Sequence, residues 1–289
     1  MESKWKTRWP HTVDLESLNL IQYSSIGRDI QPTMLNFTRR KKSAKDRFNV
    51  GFGSDVGLLR TENQDSVGVF SYTESGVSPE HLFIVADGMG GHENGREASQ
   101  IAVKTFESNF MADIGQDPVD RLRTLFRLAN ERILSYSQLV GNDTLMGTTC
   151  TVMAEMNGRF WIGHVGDSRA YRIDNQSMTQ VTVDHSLLNE LVRNGTLTQE
   201  EAENDPRKHN LIQAMGVEQD LNPDIFELPP PMSGERILLC SDGLADVPKE
   251  EVTKIVLEND SQTACDKLIA AANHYGGPDN ITVIVYTPS

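Results

Sequence analysis

Cysteine is scarce in this sequence, and long hydrophobic runs are lacking. The 289 residues contain three cysteines, widely spaced and without a CxxC pair: Cys150, Cys240 and Cys265. An odd and dispersed set argues against a disulfide scaffold or a zinc site and favours a reducing compartment, so we expect a cytoplasmic protein. No stretch approaches the roughly 18 apolar residues that a membrane span requires. The start MESKWKTRWPHT has no apolar segment after its charges, which argues against a secretory signal.

Positively charged residues are also few compared with negatively charged ones. The chain has 27 Lys and Arg against 41 Asp and Glu, a formal net charge of −14. A nucleic-acid-binding protein needs clustered Lys and Arg to contact phosphates, so the composition argues against that class of function. The hydrophobic content of 38% and the chain length fit one large core or at most two small ones. We expect a monomer.

The segment 1–47 differs from the rest of the chain. It has little apolar periodicity, and between Arg39 and Arg47 it carries a dense group of Arg and Lys. We interpret it as an N-terminal extension, partly disordered. Two roles stay open: a solvated linker, which is the favoured interpretation, and a docking segment for an acidic partner.

From residue 48 to residue 289 the pattern predicts one α+β domain. Runs rich in Val, Ile, Phe and Tyr predict strands at Asp65–Tyr72, His81–Ala86, Thr148–Glu155, Arg159–Val165, Arg169–Ile173, Glu235–Ser241 and Ile281–Tyr286. Apolar residues at helical spacing predict helices at Gly95–Phe110, Val119–Gln138, Lys249–Leu257 and Thr263–His274. This order has no βαβ rhythm, so we expect a central antiparallel β-sandwich flanked by helices on both faces. A polar, weakly helical stretch at about 185–215 suggests an inserted surface subdomain.

Aspartates recur at the ends of these strands. Asp87 and Asp242 each follow an apolar strand and precede a glycine, Asp65 and Asp279 lie just before strands, and Asp167 lies between two. Each Asp-Gly pair alone is typical of a turn. Several buried strands that deliver aspartates to one rim can nevertheless bring carboxylates together. Two carboxylates ~4 Å apart repel by roughly 4 kcal/mol at an effective dielectric near 20, so such a cluster takes up protons or binds cations. Oxygen ligands without His or Cys select Mg²⁺, Mn²⁺ or Ca²⁺.

Six motifs in order give the domain a specific resemblance. They are Arg60-Thr61-Glu62-Asn63-Gln64-Asp65, Asp87-Gly88-Met89-Gly90-Gly91-His92, Gly147-Thr148-Thr149, Gly166-Asp167-Ser168-Arg169, Ser241-Asp242-Gly243-Leu244 and Gly277-Pro278-Asp279-Asn280. Together they resemble the motif set of bacterial phosphatases of the protein phosphatase 2C (PP2C, or PPM) family, over about residues 49–286. The resemblance implies an α-β-β-α sandwich and a metal-dependent protein serine/threonine phosphatase. It also implies phosphoprotein substrates, and a bacterial Ser/Thr kinase that the enzyme opposes.

The resemblance also implies roles for single residues. Asp87 matches the aspartate that bridges two Mn²⁺ or Mg²⁺ ions, and Gly88 matches a carbonyl ligand. Asp242 and Asp279 match the remaining ligands of the first ion, Asp65 a ligand of the second, and Asp167 a ligand of a weaker third ion. Arg60 resembles the arginine that binds the substrate phosphate, and Asp87 and Arg60 are the expected catalytic pair. The stretch 185–215 resembles the family's variable flap.

Two departures from the family pattern leave questions open. Met89 stands where eukaryotic members have the histidine proposed as general acid. Either His92 or a metal-bound water then donates the proton, and for His92 a structural role is the favoured interpretation. Two other functions fit the sequence less well. A non-catalytic binding module would lack a ligand aspartate, and none is missing, whereas a structural Ca²⁺ protein would not need Arg60.

Overall fold

The computed structural model describes residues 33–34, 48–73, 80–90, 94–112, 117–141, 146–203, 205, 207 and 210–288. All of them belong to one compact unit, residues 32–289. The strands in this part of the chain are β1 (Thr33–Met34), β2 (Phe48–Asp55), β3 (Asp65–Tyr72), β4 (Glu80–Gly90), β5 (Met146–Thr148), β6 (Cys150–Met156), β7 (Arg159–Val165), β8 (Arg169–Ile173), β9 (Met178–Gln180), β10 (Asp224–Leu228), β11 (Arg236–Cys240) and β12 (Ile281–Pro288). The helices are α1 (Asn94–Asn109), α2 (Pro118–Val140), α3 (Leu187–Arg193), α4 (Gln199–Glu203), α5 (Lys249–Glu258) and α6 (Ser261–His274).

The strands form two antiparallel sheets. The first has the order β1-β3-β4-β6-β7-β10, with β5 paired to the end of β4, and the second has the order β2-β12-β11-β8-β9. The centre of the second sheet pairs distant parts of the chain, since β12 lies between β2 and β11. The sheets contact each other through one face, while α1 and α2 pack on the outside of the first sheet and α5 and α6 on the outside of the second.

Side-chain alternation along the central strands explains this layered arrangement. In β4, Leu82 and Ile84 pack against the helices while Phe83 and Val85 face the second sheet. In β12 the same parity holds, because alternate residues join the helix side and Ile284 joins the layer between the sheets. A strand with both faces buried has a continuous apolar run, as Leu82–Ala86 of β4 and Val283–Val285 of β12 do. The expected sandwich with helices on both faces is therefore confirmed.

Local signals placed most elements correctly. Strands β3, β7 and β8 have the predicted bounds, and the helix predictions hold to within a few residues at each end. Asp117 caps α2 by accepting a hydrogen bond from the Val119 amide at 2.9 Å. The Asn157-Gly158 hairpin between β6 and β7 is present, with φ of 54° and 73° at its two residues.

The N-terminal extension lies outside the described residues except for β1. Thr33 and Met34 pair with Ser71 and Phe70, at the edge of the first sheet. A boundary at residue 47 stays a prediction, and so does a docking role for the extension. Among the described helices, none combines the length and hydropathy that crossing a membrane would require.

Candidate functional site

A cleft of about 1130 Å³ opens where strand ends of both sheets meet. Six of the residues predicted for the site line it: Arg60, Asp87, Gly88, Asp167, Asp242 and Asp279. The seventh, Asp65, lies directly behind the cleft wall with 8% of its surface exposed. The structure therefore brings together all of the side chains that the sequence predicted.

The first sheet supplies two of the carboxylates at one register position. Asp65 opens β3 and Asp87 lies opposite it in β4, so the two residues are cross-strand partners. The Asp65 carboxylate accepts a hydrogen bond from the Ser241 hydroxyl at 2.8 Å, and Ser241 belongs to the second sheet's side of the site. This bond ties the two sheets together at the carboxylates.

Gly88 follows Asp87 at a point where backbone segments come into close contact. A Cβ atom on residue 88 would lie 2.1 Å from the Gly95 carbonyl oxygen and 2.5 Å from that of Gln64. Only glycine fits here, because a side chain would push β4 away from the start of α1. The Gly88 amide donates to the Gln64 carbonyl oxygen at 3.2 Å.

The second sheet contributes Asp242 and Asp279 from adjacent strands. Asp242 begins a short 3₁₀ turn after β11, and Asp279 lies two residues before the start of β12. Because β11 and β12 are antiparallel neighbours, the end of one and the start of the other meet at the same edge. Asp167 comes from the turn between β7 and β8, where the chain passes from the first sheet to the second.

Burial and mutual repulsion make these carboxyl groups hard to ionise. Burial is the main cause that raises the pKa of Asp87 well above its usual value, and the charges of Asp65 and Asp242 add to it. Burial also raises the pKa of Asp65 to about 6. The pKa of Asp167 rises to about 7, again chiefly through burial and then through Asp242 and Asp184. Shifts of this kind mark a cluster that needs protons or cations.

The donor set fits a hard divalent cation. Asp65 Oδ1 is buried and has no hydrogen-bond partner within the described part of the chain, so one carboxylate oxygen is open to a further ligand. The set consists of carboxylates and backbone carbonyls, which Mg²⁺ and Mn²⁺ accept. Within the described ranges, however, no three acidic, His or Cys side chains already stand at metal-binding distance. A cation at this site would compete with Arg60 for Asp279 Oδ2.

Arg60 is the cation nearest to this acidic edge. Its Nη2 atom lies 2.7 Å from Asp279 Oδ2, in an ion pair whose arginine side chain is 55% exposed. The predicted role of Arg60 was to bind phosphate, and its position in the cleft wall is compatible with that role. The structure adds that the guanidinium neutralises a predicted metal ligand.

Three supporting contacts were not predicted. Thr149 Oγ1 accepts from the Asp87 amide at 2.9 Å and lies 2.7 Å from Ser168 Oγ, so it joins the backbones around two of the aspartates. Arg169 binds Asp184 through Nε and Nη2 at the cleft wall. Thr149, Ser168 and Arg169 lie inside the quoted motifs, but spacing alone does not show which neighbour a polar side chain will contact.

Asn280 is the third of these contacts. Its Oδ1 accepts from the Gln64 amide at 2.8 Å, and its Nδ2 donates to the carbonyl oxygens of Val56 and Glu62, both at 2.9 Å. One buried amide therefore holds both ends of the loop that carries Arg60. Both the amide oxygen and the amide nitrogen of Asn280 are therefore hydrogen-bonded to backbone atoms of that loop.

Met89 lines the cleft, while His92 lies outside the described residues, so its role stays a prediction. His164 is a buried histidine with a hydrogen-bond partner, because its Nδ1 lies 2.9 Å from Thr151 Oγ1, and burial lowers its pKa to about 3. Asp246 lines the cleft and does not cap α5, whose N-cap is Pro248.

Comparisons with a family model, with related sequences and with solved structures agree on one family. The family model "Protein phosphatase 2C" matches residues 60–279. The serine/threonine phosphatase stp of Listeria welshimeri is 37% identical over 240 residues, which cover 81% of this chain and 93% of the Listeria protein. The structure of Stp1 from Staphylococcus aureus has a TM-score of 0.74 at 30% identity and covers 87% of this chain and 99% of that one. The catalytic domain of PstP, solved with two manganese ions, has a TM-score of 0.68 at 31% identity over 83% of this chain and 97% of its own.

Proposed function

The chain belongs to the protein phosphatase 2C family and is a protein serine/threonine phosphatase, and on that premise we propose which of its residues carry the reaction. The observation that supports the assignment is the convergence of five aspartates from both sheets on one cleft, with Asp87 subject to the charges of the other four. The substrates are phosphoproteins, whose phosphoserine or phosphothreonine esters are hydrolysed.

Asp87, Asp65, Asp242, Asp279 and Asp167, with the carbonyl of Gly88, would hold Mn²⁺ or Mg²⁺. Support comes from the open Asp65 oxygen and from the all-oxygen donor set. We expect that Asp87 would hold two ions and that Asp167 and Asp242 would hold a weaker third. When bound, ions of this type supply Lewis acidity and an activated water for in-line attack on phosphorus.

Arg60 binds the phosphate of the substrate. Its guanidinium offers donors only, and its planar fork suits two phosphate oxygens. In the ion pair with Asp279 it already stands beside the carboxylates. Asp279 would serve as a cation ligand, and the guanidinium of Arg60 would then bind the phosphoryl oxygens while its loop stays tied to Asn280.

Hydrolysis breaks the bond between phosphorus and the serine or threonine oxygen, and that oxygen must gain a proton. No histidine is found among the described residues that line the cleft. Met89 cannot donate, so the donor is either His92 or a water, as the sequence suggested. A cysteinyl phosphate is disfavoured, because the three cysteines are buried and burial raises their pKa values, which removes the thiolate that would attack.

Asp87→Asn tests the assignment. Asparagine keeps the shape of the side chain and removes its charge, so the variant should fold but lose nearly all turnover of p-nitrophenyl phosphate at every Mn²⁺ concentration. Asp266→Asn is the matched control, since Asp266 is exposed on α6 and away from the cleft. Turnover near the wild-type value in Asp87→Asn would contradict the role given to this carboxylate.

The cellular setting is part of the proposal. The relatives are named as serine/threonine phosphatases of bacteria, which supports a role opposite a bacterial Ser/Thr kinase. Three dispersed, buried thiols support a cytoplasmic location. We also propose that the protein is a monomer, and sedimentation of the full chain measures its oligomeric state directly.

A further inference from the structure

Two leucines beside the cleft are exposed to solvent. Leu58 is 64% exposed and Leu59 is 72% exposed, and they immediately precede Arg60, which lines the cleft. Single exposed leucines are common on protein surfaces, but adjacent ones at the edge of a binding site are a smaller class. We name this pair, Leu58 and Leu59, the leucine lip.

The backbone under the leucine lip is held in place. The Leu58 and Leu59 amides both donate to the Gly277 carbonyl oxygen, at 2.8 and 3.3 Å. Gly57 has a φ of +76°, and a Cβ there would lie 2.2 Å from the Asp279 carbonyl oxygen. Asn280 bonds to both ends of the loop, at Val56 and Gln64, so the backbone that carries the two leucines is held at the surface. The exposure is therefore built into the fold.

The leucine lip is continuous with the cleft. Its anchor, Gly277, adjoins Pro278 and Asp279, which line the cleft wall. At about 1130 Å³ the cleft exceeds the roughly 300–1,000 Å³ of pockets that hold a small molecule. Ile212 and Val217 also line it, and they are 43% and 45% exposed. Such a site has room for a peptide segment and apolar surface beyond the phosphate.

Resting on the proposed function, we propose that the leucine lip binds apolar side chains next to the phosphorylated residue of an extended phosphopeptide. Arg60 takes the phosphate, so a chain leaving the cleft over residues 58–59 places its neighbouring side chains on the two leucines. Contact removes apolar surface of both partners from water, which stabilises the complex. The enzyme thus prefers substrates with apolar residues beside the phosphothreonine or phosphoserine.

The test compares two phosphothreonine peptides of equal charge, with leucine or with serine at the positions flanking the phosphothreonine. The quantity measured is the ratio of kcat/KM for the leucine peptide to that for the serine peptide. We expect a ratio of about ten in the wild type, falling towards one in Leu58→Ser/Leu59→Ser. Leu139→Ser is the matched control, since Leu139 is also 72% exposed and lies on α2, outside the cleft lining.

Each outcome decides the question. A wild-type ratio near one, or an unchanged ratio in the double variant, overturns the proposal, as does an equal fall in Leu139→Ser. If the double variant does not fold, Leu59→Ser alone repeats the comparison, and its ratio must fall. A wild-type dimer in sedimentation that dissociates in the double variant would assign the leucine lip to a contact between two copies and overturn the proposal. Failure of the wild type to hydrolyse p-nitrophenyl phosphate would instead count against the proposed function.

Discussion

At the scale of single residues, the carboxyl groups of the cleft favour proton uptake in the metal-free protein. The raised pKa values of Asp65 and Asp167, about 6 and about 7, lie above the ordinary value of 3.8. The folded state therefore binds more protons than the unfolded state between these values. Stability from these groups is full at low pH and is lost as the pH rises through about 4 to about 7.

Asp167→Asn checks this linkage without relying on activity. In EDTA, the Tm of the variant minus that of the wild type should be small near about pH 5 and larger, in favour of the variant, near about pH 8, because the pKa of Asp167 is about 7 and asparagine carries no charge at either pH. Added Mn²⁺ should reduce that advantage, since the wild type would bind one ion more than the variant. A difference that does not change with pH would contradict the pKa shifts.

Arg60→Ala separates phosphate binding from cation binding. The loss of a charge-assisted pair should lower kcat/KM for a phosphopeptide by about ten- to a hundredfold. Mn²⁺ affinity should stay the same or increase, because the variant leaves Asp279 without its competing guanidinium. Calorimetric titration with Mn²⁺, beside steady-state kinetics, measures both.

Two further variants complete that comparison. Arg127→Ala is the control, since Arg127 is 61% exposed in an ion pair on α2. Asp242→Ala should show the opposite pattern, with activity failing because cation binding fails. A loss of Mn²⁺ affinity in Arg60→Ala as large as that in Asp242→Ala would show that Arg60 supports the carboxylates and does not bind phosphate.

The identity of the site residues could be read from the sequence because each stands next to a strand end within a motif. Their second partners could not. The Asp279–Arg60 pair joins residues 219 positions apart, and the Ser241–Asp65 bond joins residues 176 apart. Such contacts depend on which strands become neighbours, and that is decided by packing over the whole sandwich.

At the scale of elements, one buried amide of α2 holds the segment that follows the flap. Asn130, 1% exposed, donates to the Glu218 carbonyl oxygen at 2.7 Å and accepts from the Gly216 amide at 2.6 Å. Val217, between these two contacts, lines the cleft. The outer helix layer thus sets the position of one cleft wall.

Asn130→Ala should loosen that wall. The Gly216 amide loses its acceptor, which should lower the free energy of unfolding by about 1–3 kcal/mol. KM for a phosphopeptide should rise while kcat for p-nitrophenyl phosphate changes little. Asn259→Ala is the control, because Asn259 bonds to the Ile255 carbonyl oxygen and to Lys267 Nζ, and none of these three residues lines the cleft. Equal kinetic effects in the two variants would contradict a positioning role for Asn130.

The edge strand β1 bears on the predicted domain boundary. A chain that begins at residue 32 keeps the pairing of Thr33 and Met34 with β3, whereas one that begins at residue 48 exposes that edge. We expect the shorter chain to lose about 1–2 kcal/mol and a few degrees in Tm. Both should hydrolyse p-nitrophenyl phosphate alike. Equal Tm values would mean that the domain proper does begin near residue 48.

Most elements with a long signal were predicted, but the eight-residue β2 was not, because Gly51 and Gly53 interrupt its apolar pattern. The eight-residue β3 and the 23-residue α2 each span several repeats of the hydrophobic period that identifies a strand or a helix. The three-residue strands β5 and β9 do not, and β10 is an edge strand with a mixed burial pattern. Short edge segments become strands because a neighbour offers free backbone groups, and that information lies in the neighbour.

At the scale of the whole molecule, the net charge of −14 acts on approaching substrates. Glu218 and Asp246 line the cleft beside the proposed ligand aspartates. Phosphopeptides with arginine away from the phosphate should therefore associate faster at low ionic strength. Raising NaCl from roughly 20 to roughly 200 mM should lower their kcat/KM several-fold, with a much smaller change for p-nitrophenyl phosphate. The same salt response for a peptide without basic residues would contradict this steering.

The pairing of β12 between β2 and β11 has a consequence for biosynthesis. Phe48 pairs with Pro288 and Asp55 with Ile281, so β2 leaves the ribosome about 230 residues before the strand that pairs with it. Asp279 and Asn280, which complete the cleft and hold the Arg60 loop, arrive with that late strand. We therefore expect a nascent chain to stay inactive until β12 has been translated and has paired with β2 and β11.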